Sequence, residues 1–362
     1  MTSPAIDLRS DTMTRPTPAM RAVIAQCEVG DDVFDEDPSV HALQERVAAL
    51  LGKEAALYMP SGTMSNQVAV RTHCQPGDEL LCEANCHIYN YEQGAFAQLS
   101  GVVARCVEGE YGVLQPEQLE GMIRPENQHF VRTRLVCLEN THNRGGGRIQ
   151  PYEAVERISA WARRHGLAMH LDGARLFNAV VATGIPAVKW AEHFDTVSVC
   201  FSKGLGAPVG SALAGPRELI RRAVRHRKVF GGGMRQAGIV ASAALYALEH
   251  HVERLAEDHA NARRLGELLR QIDGLELRPP TIETNIVIFW LDPRLGTAQE
   301  LTALLKQRGV LVGAFGPRSL RAVTHLDVSA ADIERAGMII AEVVGELRAG
   351  KVVREKAPAG YG

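Results

Sequence analysis

The chain has 362 residues, of which 46% are hydrophobic and 23% are charged, and its formal net charge at pH 7 is −2. This composition is typical of a soluble globular protein with one large domain and a smaller one, and the near-neutral charge argues against a nucleic-acid or membrane surface as the main partner. No apolar run approaches the roughly 18 residues of a membrane span, and the N-terminus lacks the regions of a signal peptide. Because the seven cysteines are scattered, we expect reduced thiols in a cytoplasmic protein.

The first two thirds of the chain predict an α/β domain. A short helix is expected near residues 18–28, an acidic loop over 30–40, and a helix over 38–51 that ends at Gly52. Strands then alternate with helices from about residue 55 to 215, including an amphipathic helix from Pro151 that ends at Gly166. This alternation favours a mostly parallel, doubly wound sheet.

The remainder predicts a smaller α+β domain. It follows a long helical stretch from about Ala237 to Ile272, and it alternates strands near 285–291, 310–315 and 322–326 with helices near 297–308 and 330–348. We therefore expect a large domain over 18–250 and a small domain over 251–350. Residues 1–17 are expected to pack on the small domain and the active site, and residues 351–362 to be disordered.

Two strand ends carry the chemistry. Asp172 follows one apolar run, and Lys203 follows the next, about one βαβ crossover later. Such a crossover brings the carboxyl ends of both strands to one sheet edge, where ligands of open α/β sheets bind. A lysine and an aspartate delivered together suit pyridoxal phosphate (PLP), with the lysine forming a Schiff base and the carboxylate pairing with the pyridine nitrogen. The alternative for these residues is a buried structural ion pair.

Three further stretches are consistent with this cofactor. Gly62 and Thr63 are predicted at a helix N-terminus, where free N–H groups attract phosphate. His87 follows a short strand, from which it can stack on the cofactor ring. Lys228 and Arg235 flank three glycines and are candidates for an anion contact. The set Cys74, Cys82, Cys86 and His87 lacks a metal-binding spacing, so no metal site is expected.

Nine motifs in order give the chain a specific resemblance over residues 6–350. They are DLRSDTMTRPT, GDDVFDEDP, SGTMSNQ, HIYNYEQGA, LENTHNRGGGR, HLDGARLFNA, CFSKGLGAPVGS, GGGMRQ and VTHLDVS. The chain resembles the low-specificity L-threonine aldolases, which are PLP enzymes of the aspartate-aminotransferase fold. That resemblance implies fold type I, with a mostly parallel seven-stranded sheet between helices and a small C-terminal α+β domain. The chain departs from the family at Phe34 and Asp35, where tyrosine and glycine are usual.

The resemblance implies a set of cofactor contacts. Lys203 would be the Schiff-base lysine, Asp172 the partner of the ring nitrogen, and His87 the residue stacked on the ring. Arg175 would also lie against the cofactor. The residues implied to bind its phosphate are Gly62, Thr63 and Ser202, with Lys228 or Arg235 reaching from a neighbouring subunit.

The resemblance also implies how the substrate is bound. Ser10, Arg175 and Arg321 would bind its carboxylate, since guanidinium groups pair well with carboxylates. His129 would lie near the substrate hydroxyl, and the alternative for this residue is a polar surface histidine. The base is left open among His87, His129 and a bound water.

The implied activity is that of a carbon–carbon lyase. It would cleave L-threonine and L-allo-threonine reversibly to glycine and acetaldehyde, in a homotetramer built from dimers with shared active sites. The alternatives are another fold-type-I enzyme (a phenylserine aldolase, a β-eliminating lyase or an aminotransferase) and a non-catalytic protein that retains the PLP fold. A nicotinamide-dependent dehydrogenase is disfavoured, because no GxGxxG follows the first strand.

Overall fold

The computed structural model describes residues 5–351. The chain divides into a large unit over residues 16–252 and a small unit that combines residues up to 15 with those from 253 onward. No helix within residues 5–351 is both long enough and apolar enough to cross a bilayer.

The strands and helices are numbered along the chain. The strands are β1 (Ile6–Asp7), β2 (Ala55–Met59), β3 (Asp78–Glu83), β4 (Val103–Val107), β5 (Arg132–Glu139), β6 (Ala168–Gly173), β7 (Thr196–Cys200), β8 (Ser211–Gly215), β9 (Leu275–Leu277), β10 (Ile286–Leu291), β11 (Val310–Leu311), β12 (Gly313–Ala314) and β13 (Ser319–Val323). The helices are α1 (Pro18–Gln26), α2 (Pro38–Leu51), α3 (Gly62–His73), α4 (His87–Asn90), α5 (Ala95–Ser100), α6 (Tyr152–Arg164), α7 (Leu176–Thr183), α8 (Ala187–Ala191), α9 (Arg217–Val229), α10 (Gly238–His250), α11 (Leu255–Arg270), α12 (Ala298–Gln307) and α13 (Ala330–Arg348).

The large unit is built on a mixed sheet. In the part of the chain that the structure describes, this sheet has seven strands in the order β2-β8-β7-β6-β5-β3-β4. The pairings from β7 through β6, β5 and β3 to β4 are parallel, whereas β8 is antiparallel to both β2 and β7. The carboxyl ends of β3, β5, β6 and β7 therefore lie at one edge. The predicted α/β fold with a mostly parallel seven-stranded sheet is confirmed.

The register of the central strands positions the candidate site. Asp172 on β6 lies opposite Glu139 on β5 and opposite Ser198 on β7. All residues of β7, and those of β6 after its first, are buried, as expected for strands covered on both faces. Helices α7 and α8 form the crossover between β6 and β7, so the expected βαβ unit is present.

Local capping explains where the helices of this unit begin and end. Asp37 accepts hydrogen bonds from two N–H groups at the start of α2, Pro38 occupies its first turn, and Gly52 ends it in a left-handed conformation with φ +60°. Ser61 caps α3 by accepting a hydrogen bond from the Met64 N–H at 3.2 Å. The predicted ends of these helices agree with the structure.

The small unit contains a four-stranded antiparallel sheet in the order β12-β13-β10-β9 within the described residues. Helices α11, α12 and α13 supply much of its apolar core, together with Phe289 and Leu320 from the sheet. The N-terminal strand β1 pairs in parallel with β11, and the Val323 N–H donates to the Leu8 carbonyl at 2.8 Å. The first residues of the described chain are therefore hydrogen-bonded into this unit.

Two predicted elements were wrong in detail. The expected continuous helix from 237 to 272 is interrupted at residues 251–254, where His251 Nδ1 bonds the Leu205 carbonyl at 2.7 Å. No glycine or proline marks this break, so the local sequence does not indicate it. The expected strand over 310–315 is two short strands, β11 and β12, with different partners.

Candidate active site

Asp172 and Lys203 come to the same edge of the large sheet. Asp172 is buried near the end of β6, and Lys203 follows the end of β7 by three residues in a half-buried turn. That turn is closed by the Gly206 N–H, which donates to the Lys203 carbonyl at 2.8 Å. The positive charge of Lys203 contributes to lowering the pKa of Asp172, as expected for neighbouring groups.

The Asp172 carboxylate is held by hydrogen bonds on both oxygens. Oδ2 accepts from Asn66 Nδ2 at 2.8 Å, and Oδ1 accepts from the Ala174 N–H at 3.1 Å. Burial alone would raise the pKa of this carboxyl, but the charges of His87 and Lys203 and the Asn66 hydrogen bond outweigh burial and lower it. Asp172 is therefore an ionised carboxylate in a buried position, which suits pairing with a protonated ring nitrogen.

His87 opens the short helix α4 and is fixed at both its backbone and its ring. Its backbone N–H donates to Glu139 Oε2 at 2.7 Å, and its Nδ1 lies 2.9 Å from Glu92 Oε1. Burial alone would lower the pKa of His87, but the Glu92 hydrogen bond and the charges of Asp172 and Glu92 raise it. The Glu92 side chain itself has no exposed surface.

A buried acid–histidine cluster anchors the glycine-rich turn that follows β5. His142 Nε2 lies 3.0 Å from Glu83 Oε2, and the pKa of His142 is raised because Glu139 and Glu83 outweigh burial. The Asn143 N–H donates to Glu139 Oε1 at 2.8 Å, and Asn143 Oδ1 lies 3.4 Å from a guanidinium nitrogen of Arg175. The buried Arg175 thus contacts Asn143, whose backbone is held by the same Glu139 carboxylate that holds the His87 backbone.

The start of helix α3 carries Gly62 and Thr63, as predicted. A Cβ atom on Gly62 would lie 3.5 Å from Ser211 Oγ. Within residues 5–351, this fully buried hydroxyl has no hydrogen-bond partner. Free N–H groups of a helix start and a buried hydroxyl beside them form a donor set that fits a phosphate group.

The remaining predicted phosphate contacts are spread over two segments. Ser202 is half-buried, and its hydroxyl lies 3.5 Å from the Gly210 carbonyl in the turn after β7. Lys228 is exposed near the end of α9, and Arg235 is paired with Asp31 of the acidic loop in the same chain at 3.1 Å. Both side chains are exposed in this chain, so their predicted contact with a phosphate bound by a neighbouring subunit stays a prediction.

His129 lies elsewhere in the large unit. It is exposed, three residues before the start of β5. Because β5 and β6 are parallel and Asp172 lies opposite the last residue of β5, His129 is at the opposite edge of the sheet from Asp172. One chain therefore does not bring His129 to Lys203, and a role for it there requires a second copy.

Ser10 and Arg321 belong to the small unit and lie close together. An Arg321 guanidinium nitrogen donates to the carbonyl of Arg9 at 3.2 Å, and its guanidinium lies 4.8 Å from the centre of the Phe315 ring. The Ser10 hydroxyl accepts from the Thr12 N–H at 3.2 Å. Their proposed role in binding the substrate carboxylate stays a prediction.

Sequence reasoning missed three residues of the site. Asn66, Glu92 and Ser211 lie in or beside the recognised motifs, but no role was predicted for them. The sequence shows only a run of three polar residues at 65–67, and the structure buries all three in the first half of α3. Buried polar side chains almost always have hydrogen-bond partners, so such a run indicates an internal network.

Comparison with known proteins gives consistent similarities. The family described as "Beta-eliminating lyase" matches residues 7–291. Low-specificity L-threonine aldolase 1 of Arabidopsis thaliana is 43% identical over 91% of this chain and 93% of its own length, and the low specificity L-threonine aldolase of Escherichia coli is 44% identical over 90% and 95%. The solved structure of Leishmania major threonine aldolase has a TM-score of 0.80 at 20% identity, covering 94% of this chain and 99% of that one. The resemblance predicted from the nine motifs is confirmed.

Proposed function

The chain belongs to the family of beta-eliminating lyases and low-specificity L-threonine aldolases, and on that premise we propose that it is a PLP-dependent aldolase. It cleaves L-threonine and L-allo-threonine reversibly to glycine and acetaldehyde. The observation that carries the proposal is the buried, ionised Asp172 beside Lys203 at the carboxyl ends of β6 and β7. When bound, the cofactor supplies an electron sink for the electron pair that Cα–Cβ cleavage releases.

The chain's own residues fit the cofactor. Lys203 would hold it covalently, Asp172 would hold a proton on the ring nitrogen, and His87 would lie against the ring. Gly62, Thr63 and Ser202 would bind the phosphate. The Ser211 hydroxyl beside Gly62, which has no partner among residues 5–351, supports this, since a buried hydroxyl without a partner is costly.

The substrate carboxylate is bound by arginine. Arg175 is buried, and its orientation by Asn143 supports this role. Ser10 and Arg321 are proposed as further carboxylate ligands. By holding the carboxylate, these residues would orient the substrate so that its Cα–Cβ bond is the one cleaved.

The base that removes the hydroxyl proton stays open between His87 and a bound water within one chain. Glu92 occupies Nδ1 of His87, so only Nε2 is available for proton transfer. A role for His129 depends on a second copy of the chain.

We further propose a cytoplasmic homotetramer with shared active sites. All seven cysteines are free thiols, which supports a reducing compartment. Phe34 and Val229 are 71% and 78% exposed. Val229 follows Lys228 directly, and Phe34 lies three residues after Asp31, the partner of Arg235, which supports a covering subunit. Light scattering should give four times the chain mass of 39.4 kDa, and a monomer would contradict the proposal.

The activity is tested with L-threonine and L-allo-threonine in separate reactions. Acetaldehyde is measured with a coupled alcohol dehydrogenase, and glycine is measured by amino-acid analysis. We expect equal amounts of both products from each isomer. Formation of 2-oxobutanoate and ammonia would instead indicate β-elimination, and a requirement for a keto acid would indicate transamination. No product from either isomer, with the visible absorbance of the cofactor intact, would overturn the proposed substrate.

A further inference from the structure

His87, Glu92 and Asp172 form a compact group, with one nitrogen or oxygen of each within 4.8 Å of the others. The amide of Asn66 connects the two carboxylates. Its Nδ2 donates both to Glu92 Oε1 at 2.9 Å and to Asp172 Oδ2 at 2.8 Å. An amide nitrogen has two hydrogens, so both are used in these contacts.

The two carboxylates determine which way the Asn66 amide points, because they accept hydrogen bonds and therefore face its Nδ2. Its Oδ1 lies 3.1 Å from His170 Nε2, so that nitrogen must carry a proton. Because burial lowers the pKa of His170 to about 3, the ring is neutral and its Nδ1 accepts from the Thr196 hydroxyl at 2.9 Å. The Thr196 oxygen in turn accepts from His73 Nε2 at 2.8 Å. The position of every proton in this series of hydrogen bonds is therefore assigned. The donors all point in one direction, from His73 through Thr196 and His170 to Asn66 and then to the two carboxylates.

Glu92 is a completely buried carboxylate with several donors. His87 and Asn66 both contact Oε1, and Gln67 Nε2 donates to Oε2 at 2.5 Å. Since the amides are neutral, the positive partner in direct contact with Glu92 is the His87 ring. A buried carboxylate is stable only when it is paired, so it favours a proton on His87 Nδ1.

We propose that Glu92 is a positioning residue that accepts a hydrogen bond from the protonated Nδ1 of His87 and so holds the ring in place. The Asn66 amide, in turn, connects this pair to Asp172 by hydrogen bonds to both carboxylates. His87 and Asp172 are thus fixed relative to each other as one unit. The importance of this unit for catalysis rests on the proposed function, whereas the hydrogen-bond assignment does not. The groups that face His87 are Glu92, Asp172 and Lys203, with Glu139 on its backbone nitrogen and the Tyr91 ring 5.6 Å away.

The first test is nitrogen NMR of the histidine rings in the protein as purified, without substrate. In the wild type, His87 should carry a proton on Nδ1 and titrate above the ordinary value of 6.5. In Glu92→Gln the midpoint should fall by about one pH unit, because a neighbouring negative charge is lost. The isosteric glutamine is accommodated because Gln67 Oε1 has no partner among the described residues and can accept its new amide.

The matched control is Glu192→Gln, which removes a carboxylate 3.9 Å from the ring of another histidine, His193. It should leave the His87 titration unchanged. A wild-type His87 with an unprotonated Nδ1 at neutral pH, or a midpoint unchanged in Glu92→Gln, would overturn the proposal.

The second test isolates the link to Asp172. Asn66 and Gln67 both donate to Glu92, but the amide of Asn66 also donates to Asp172. Asn66→Ala should therefore weaken retention of PLP about tenfold in dialysis, whereas Gln67→Ala should change it less than twofold. Equal effects of the two variants would overturn the link, provided that both melt cooperatively.

These measurements separate the inference from the proposed function. Failure to cleave threonine together with the expected His87 titration would contradict the aldolase and leave the positioning unit intact. Normal cleavage of threonine, together with a His87 titration that Glu92→Gln leaves unchanged, would support the aldolase and contradict the positioning unit.

Discussion

Glu139 and Asp172 lie directly opposite each other where the parallel strands β5 and β6 end. The two buried carboxylates accept hydrogen bonds from different kinds of donor. Glu139 accepts from the backbone N–H groups of His87 and Asn143, and so it fixes two loops. Asp172 accepts from one side-chain amide and one backbone N–H beside Lys203. Of these two neighbouring carboxylates, Glu139 therefore supports the loops around the site, whereas Asp172 is the one proposed to take part in the reaction.

Replacing Lys203 tests the covalent attachment of the cofactor. In Lys203→Ala, borohydride reduction should leave no cofactor-sized mass on the peptide that contains residue 203, and cleavage should fall by roughly 10³-fold or more. Lys189→Ala, which removes an exposed lysine, should behave as the wild type. Retained labelling and turnover in Lys203→Ala would refute the assignment.

Replacing Asp172 tests the negative charge at the end of β6. Asp172→Asn keeps the size of the side chain but removes the charge that holds a proton on the ring nitrogen. The cofactor should still attach to Lys203, while kcat falls by about 10²-fold or more. The measurement is steady-state cleavage together with reductive labelling, and a kcat within a factor of three of the wild type would contradict the role.

Replacing Ser211 tests the phosphate site. Because the Ser211 hydroxyl has no partner among the described residues, Ser211→Ala should leave the melting temperature of the cofactor-free protein unchanged or raised. Loss of a hydrogen bond to a charged phosphate should weaken PLP binding by roughly tenfold to a hundredfold. Equal PLP affinity in the variant and the wild type would exclude this contact.

Replacing Arg321 tests the proposed carboxylate contact from the small unit. Arg321→Ala should raise KM for threonine by roughly tenfold to a hundredfold with a smaller effect on kcat. The reason is that the variant cannot form the charged pair with the substrate carboxylate. Arg318→Ala, three residues earlier, is the control and should leave KM unchanged. An unchanged KM in Arg321→Ala would remove this residue from the site.

Two histidines, the buried His170 and the half-buried His73, predict how stability depends on pH. Burial lowers the pKa of His73 to about 4 and that of His170 to about 3, from an ordinary 6.5. Below pH 6.5 the unfolded chain binds protons that the folded chain does not, so the free energy of unfolding falls as the pH is lowered from 6.5 to about 4.

The variant His73→Gln removes one of these two titrating side chains and leaves His170 in place. The glutamine can still donate a hydrogen bond to Thr196, but it does not titrate. Urea unfolding at pH 6.5, 5.5 and 4.5 should therefore show a slope smaller by about 1.4 kcal/mol per pH unit than that of the wild type. The comparison between the two proteins matters, because lowered carboxyl pKa values change stability in the same direction in both. Parallel slopes would show that His73 is not buried in the neutral form.

The sequence by itself determined the features that depend on neighbouring residues. Gly52 and Gly166 mark helix ends because left-handed backbone favours glycine there. The apolar runs before Asp172 and Lys203 identify buried parallel strands, and a βαβ crossover requires their ends to meet at one edge. The fold, the lysine–aspartate pair and the family resemblance all follow from such local patterns.

Only the tertiary structure decided the contacts that join distant segments. The bond from His251 to Leu205 accompanies a helix break that the local sequence does not indicate, and the direction of β5 places the exposed His129 away from Asp172. Asn66, Glu92 and Asp172 come from three separate segments, and their hydrogen bonds exist only when those segments pack together. Side-chain hydrogen bonds depend on distances of about 3 Å between such segments, and spacing along a chain does not determine those distances.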